Sequence, residues 1–293
     1  MYDLGAFTIV EPECKAPMRP LRRTKRTLAI VAFTTLVSCS TPVVPASTPT
    51  SNTVSLRLYA TTAMAPVLQD LTQQYSHVYP NFAFETATGD YQMILDKLLT
   101  GETPYVLTNH LPDSTSGVLA WPIGQDGIAV IVHPDNPITG LSTEQLRSIY
   151  LGHVSNWSEV EGNNQGMLVI SREDGSGTRA EFERLLMGAR QTTLSAQIAP
   201  SNSAMVESIT NSPDAIGYVS MSYLDDRVRA LNIDGYAPTP GNVYNNLYPL
   251  RSTMYVMGLA EPEGDYLAFI SWVQSQDGQR VVAERYAPMI RPT

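Results

Sequence analysis

Met167-Leu-Val-Ile170 runs into Ser171-Arg172-Glu173-Asp174-Gly175-Ser176-Gly177-Thr178-Arg179 and then into Ala180-Glu-Phe182-Glu-Arg-Leu-Leu186. The first piece is a short apolar strand, and Phe182, Leu185 and Leu186 space the last as a helix. Between them, glycines let the backbone turn tightly, so that successive N–H groups can converge on one point. The helix that follows adds its own unpaired N–H groups and a partial positive charge. Ser176 and Thr178 bring hydroxyls, and Arg172 brings a planar fork that matches an oxyanion. The plainer reading is a capped strand-to-helix turn carrying a surface arginine. An esterase nucleophile would need glycine two positions before Ser176, where Asp174 stands.

Outward from this loop the same order repeats. Val54–Tyr59 alternates as a strand, and Met64, Val67, Leu68, Leu71 and Tyr75 follow with helical spacing up to Pro80. Phe82–Thr86 reads as a strand, with Tyr91, Ile94, Leu95 and Leu98 as a helix stopped by Gly101. Ile128–Val132 and Ile216–Val219 are further strands. Ser142 and Gln145 form a capping box for a helix through Ile149. Two helices close the chain, around Tyr266–Ser275 and Gly278–Tyr286. This alternation predicts an α/β fold, and 293 residues predict about two compact units. Two more helices start in the style of the first: Thr61-Thr62 after one strand, Thr88-Gly89-Asp90 after another. Ligands of α/β sheets sit beyond the carboxyl ends of strands, so the three turns together predict a pocket for a tetrahedral oxyanion. Taken singly, Thr61 and Thr62 read as helix N-caps, and so does Asp90.

Composition narrows the functions. The chain is 43% hydrophobic and 16% charged, as globular chains are. Residues 1–38 hold six of the 19 bases and three of the 28 acids, so the rest carries 25 acids against 13 bases, a net of −12. Such a surface repels phosphate backbones and argues against nucleic acid as a partner. Four dispersed histidines (His77, His110, His133, His153) give no metal-ligand spacing and read as surface or turn residues. Asp225-Asp226 with Arg227 and Arg229 reads as a solvated turn, and Trp121, Trp157 and Trp272 as packing residues. At the front, Arg22, Arg23, Lys25 and Arg26 precede the apolar run Leu28–Val37 and then Ser38-Cys39, the layout of a secretory signal over residues 1–38. Acids before the basic region fit a signal poorly, and Met18 opens a conventional one, so residues 1–17 read as a start placed too early. Residues 39–52, rich in Pro, Ser and Thr, read as an extended tether.

Together these pieces resemble a family. Arg172-x-Asp174-Gly175-Ser176-Gly177-Thr178 resembles the ligand loop of phosphate-binding proteins that serve ABC importers. Leu141–Gly152 with Asn156-Trp157-Ser-Glu-Val160 resembles the segment before that loop. Ala215–Ser220 resembles its later strand, and Thr61-Thr62-Ala-Met-Ala-Pro66 its first binding loop. Leu36-Val37-Ser38-Cys39 resembles a bacterial lipobox, which implies lipidation of Cys39. The resemblance covers about residues 54–290 and implies a two-lobed type II periplasmic-binding-protein fold, with a hinge and an interlobe ligand cleft. Residues 53–125 plus 240–293 would form one lobe and 126–239 the other. It implies phosphate contacts from Arg172, Ser176, Gly177 and Thr178, from Thr61 or Thr62, and from Thr88 or Gly89. The implied function is capture of inorganic phosphate outside the cytoplasm, at a membrane through the lipid, and delivery to an ABC permease. Neither catalysis nor a cofactor is implied. One departure stands out: where the family usually places an aspartate that accepts the hydrogen of HPO₄²⁻, this chain reads Gly101-Glu-Thr-Pro-Tyr-Val-Leu-Thr-Asn109, and Asp90 either substitutes for it or serves as a helix cap. Another tetrahedral oxyanion, a sensing or surface role, and a secreted phosphohydrolase are the alternatives.

Overall fold

In the computed structural model, residues 53–112 and 117–292 are described. The signal, tether and Cys39 expectations lie outside them. The elements are β1 (Val54–Thr61), α1 (Ala65–Val78), β2 (Phe82–Gly89), α2 (Tyr91–Leu99), β3 (Tyr105–Thr108), β4 (Leu119–Val132), β5 (Gly140–Leu141), α3 (Thr143–Tyr150), β6 (Leu168–Arg172), α4 (Gly177–Leu186), β7 (Gln197–Ala199), α5 (Asn202–Thr210), β8 (Ala215–Ser220), β9 (Arg229–Ala230), β10 (Asn232–Ile233), α6 (Pro240–Tyr244), β11 (Arg251–Gly258), α7 (Gly264–Gln274) and α8 (Gln276–Ala283). Nine strands form one curled sheet in the order β2-β1-β3-β11-β4-β8-β6-β7, with β9 also on β4 and a separate β5–β10 pair.

Local chemistry sets most of these ends. Pro66 sits in the first turn of α1, where its missing N–H is no loss, and Pro80 follows soon after the helix stops. Asp90 caps α2 by accepting from the Met93 amide at 2.7 Å, as expected for a cap. The Ser142–Gln145 capping box of α3 is complete in both directions. Under α1 and α7, Tyr75 meets Phe82, Phe84, Phe269 and Trp272 at centroid distances of 5.1–6.0 Å. Behind the α4 loop, Phe182 stacks on Tyr218 at 3.9 Å. Trp157 and Trp272 are buried and Trp121 packs against the core, so the three tryptophans are packing residues.

β4 is more than twice as long as its predicted half, Ile128–Val132. Pro122 and Gly124 hid the first half, since both weaken a strand pattern. The sheet accommodates them with a register shift at Met254/Tyr255 of β11. Through Gly127, β4 pairs antiparallel with β11; from Ile128 onward it pairs antiparallel with β8. One strand therefore serves two sheet halves. On one side β2, β1 and β3 run parallel; on the other β7, β6 and β8 do.

Candidate functional site

Parallel pairing brings three strand ends to one edge. Ala60 pairs with Thr88 on one side and Leu107 on the other, and Thr61 pairs with Gly89. The same edge thus carries Thr61, Gly89 and, one residue past β3, Asn109. Thr61 occupies the N-cap position of a short turn but makes no cap bond. Its hydroxyl is buried without a partner. The expectation of a plain cap therefore fails for Thr61. Ser176 does cap: its Oγ accepts from the Arg179 amide at 3.2 Å, leaving its own hydrogen to donate.

In the other half, β6 ends at Arg172, which is fully buried, so the surface-arginine reading fails. Its main-chain N–H donates to the Tyr218 hydroxyl at 3.3 Å, and its Nε donates to the Ala199 carbonyl at 3.2 Å. Nε and Nη2 also hold both Glu173 oxygens at 2.9 and 2.8 Å. One edge of the fork is thus spent on Glu173. The other edge faces across the sheet, with Nη2 donating to Thr62 Oγ1 at 3.4 Å and Nη1 buried without a partner. Burial pushes the Tyr218 hydroxyl up to about 12, so it stays protonated as the post behind the loop.

Further bonds tie the halves around this point. The Tyr91 amide donates to the Gly175 carbonyl at 2.8 Å, and the Tyr223 hydroxyl donates to the Thr62 carbonyl at 2.6 Å. His110 Nδ1 lies 2.8 Å from Glu181 Oε1 on α4. Burial pushes the Glu181 carboxyl up, but bonds from His110 and Arg184 more than offset this and hold it below the ordinary range. His110, expected as a surface or turn residue, stands in the loop after β3 and bridges the two halves half-buried, because β3 delivers it against α4. Tyr91, His110, Gly175 and Ser176 line a hollow of about 270 Å³ here. A wider groove of about 950 Å³ between α1 and α8 shares none of these residues. Arg229, expected in a solvated turn, instead donates to the Ile138 carbonyl at 2.7 Å.

Of the sequence-selected residues, Thr61, Thr62, Gly89, Arg172, Ser176, Gly177 and Thr178 stand on these facing edges, and all but Thr62 are buried. Thr88 is exposed on β2. In the sequence, Asn109 stands out only as the end of a stretch without aspartate. It is 1% exposed, and neither its amide nitrogen nor its amide oxygen has a partner. A Cβ on Gly177 would lie 3.0 Å from its Oδ1, so the amide rests against the first turn of α4. Leaving one buried polar group unpaired costs about 1–3 kcal/mol. Thr61, Asn109 and Arg172 carry four such atoms, and the helix N-terminus beside them offers more N–H groups. Three of the four are donors, an arrangement that suits an anion.

Comparison with known proteins places the chain in a family. A family model described as a PBP superfamily domain matches residues 46–277. The phosphate-binding protein PstS of Bacillus subtilis is 27% identical over 243 residues, covering 80% of this chain and 81% of that one. A Clostridium perfringens substrate-binding protein assigned to phosphate ABC transport, solved with bound phosphate, superposes with a TM-score of 0.77 at 28% identity, covering 81% of this chain and all of that one. An ABC-type phosphate transport receptor from Vibrio cholerae gives 0.66 at 25% identity, covering 79% and 99%.

Proposed function

The chain belongs to the PBP superfamily, and from that premise we propose that it is a receptor that captures phosphate and hands it to an ABC importer. What carries this reading is the buried set of unpartnered groups on facing sheet edges: the Thr61 hydroxyl, the Arg172 Nη1 and the Asn109 amide, beside the first turn of α4. Gly177 and Thr178 add main-chain N–H groups aligned with the helix dipole, and Ser176 adds a hydroxyl hydrogen. Thr62 and Gly89 complete the walls. Relatives named for phosphate binding and phosphate transport support the choice of anion and of partner.

In this reading residues 53–125 plus 240–293 form one lobe and 126–239 the other, hinged where β4 changes partner at Gly127/Ile128. The bonds from Tyr91, Arg172, Tyr223 and His110 across the halves are those a closed lobe pair makes around its ligand. The receptor works outside the cytoplasm, held to a membrane by lipid on Cys39. Calorimetry with inorganic phosphate titrated into the full chain tests the reading. One phosphate per chain is expected, and absence of both heat and thermal shift at millimolar phosphate overturns it.

A further inference from the structure

We propose that Asn109 makes this pocket indifferent to whether the bound oxygen carries a proton, so that sulfate-type anions bind alongside phosphate. The inference rests on the reading of the pocket as an oxyanion site and specifies the class of anion. Asn109 stands one residue beyond β3 and is almost wholly buried. The turn around it is fixed: the Thr108 hydroxyl donates to the His110 carbonyl at 2.9 Å and accepts from the His110 amide at 3.1 Å. This clip leaves the Asn109 side chain against Gly177, with both ends of its amide unpartnered.

An amide has one donor end and one acceptor end, and rotation about its last bond exchanges them. An oxygen bearing hydrogen, as in HPO₄²⁻, can donate to Oδ1. A bare oxygen, as in SO₄²⁻, can accept from Nδ2. An ionised carboxylate could do only the first. The carboxylates that touch residues of this site are already engaged. Glu173 spends both oxygens on Arg172, Glu181 spends its own on His110 and Arg184, Asp174 pairs with Arg179, and Asp90 gives its Oδ1 to the Met93 amide as the cap of α2. The buried groups left unpartnered here, on Thr61, Asn109 and Arg172, can each donate, and none of them demands a proton from the ligand.

Calorimetry on the full chain with phosphate and with sulfate at pH 8 tests this, alongside Asn109→Asp and Asn109→Ala. In the wild type the two dissociation constants are expected within about threefold of each other, less than one buried unpaired acceptor would impose. Asn109→Asp is expected to weaken sulfate by about tenfold or more while moving phosphate much less; Asn109→Ala should weaken both alike. Phosphate binding with sulfate weaker by more than about threefold in the wild type overturns the inference and leaves the phosphate-receptor reading standing. Equal effects of Asn109→Asp on both anions also overturn it. Binding of neither anion to the wild type overturns the underlying reading as well. The wild-type comparison decides even if a variant does not fold.

Discussion

At the scale of single residues, the site trades stability for a place to bind. Thr61 keeps a hydroxyl buried with no partner although valine would fill the same volume. Thr61→Val is therefore expected to hold or raise the melting temperature while weakening phosphate by about 1 kcal/mol, the net worth of one hydrogen bond. Calorimetry and thermal unfolding on the same preparation check the pair; unchanged affinity would mean that the hydroxyl never meets the ligand. Arg172 is a different case, because Glu173 already holds one edge of its fork. Arg172→Ala removes the free edge and also leaves a partly buried carboxylate beside the anion. A loss of about 2–4 kcal/mol in phosphate binding is expected. A loss below about 0.5 kcal/mol, within the range of a screened surface contact, would place the site elsewhere.

At the scale of elements, the first turn of α4 is the part whose geometry has least slack. Gly177 opens that helix, and a methyl group there would press on Asn109 Oδ1 at 3.0 Å and His110 Cβ at 3.3 Å. Gly177→Ala should cost about tenfold in phosphate affinity, because the clipped turn at Thr108–His110 gives the amide little room to retreat while α4 itself gains helix propensity. A variant that binds as the wild type does would show that Asn109 moves freely. This element was legible in the sequence because its signals are local: glycines, hydroxyls and an arginine within nine residues, with a strand before and a helix after. The Ser142–Gln145 cap and the Asp90 cap were legible for the same reason. β3 and β11 were not. Their burial follows from lying in mid-sheet between distant strands, and β11 alternates Arg251, Thr253 and Tyr255 with Ser252, Met254 and Val256, a weak signature by itself. Asn109 was illegible as a candidate because its nearness to Gly177 is a long-range contact. The bridge from His110 to Glu181 was illegible for the same reason, although a loop position for His110 was not.

At the scale of the whole molecule, the two halves share β4, and the charge of the chain opposes its cargo. Asp126 lies on β4 next to the change of partner, and full burial pushes its carboxyl up to about 8. Folding therefore takes up a proton there at any pH between the unfolded and folded values. Stability from this group is fullest below about pH 4 and falls as pH rises toward about 8, by an amount on the order of a few kcal/mol. Asp126→Asn should flatten that slope in urea unfolding followed across this range; a variant that loses stability in parallel with the wild type would contradict it. The acidic surface, a net −12 beyond residue 38, repels an anion. If that field governed binding, added salt would screen the repulsion and raise affinity. If an uncompensated cation governed it, salt would lower affinity. Neither should happen here. Glu173 neutralises Arg172 at contact, and helix amides, hydroxyls and an amide act over about 3 Å, well inside the roughly 8 Å screening length at physiological salt. Phosphate affinity is therefore expected to change by less than about threefold between about 0.05 and 0.5 M sodium chloride, where screening length shortens severalfold. A monotonic rise of a decade would assign control to the surface charge, and a fall of a decade would mean that Arg172 meets the anion without Glu173.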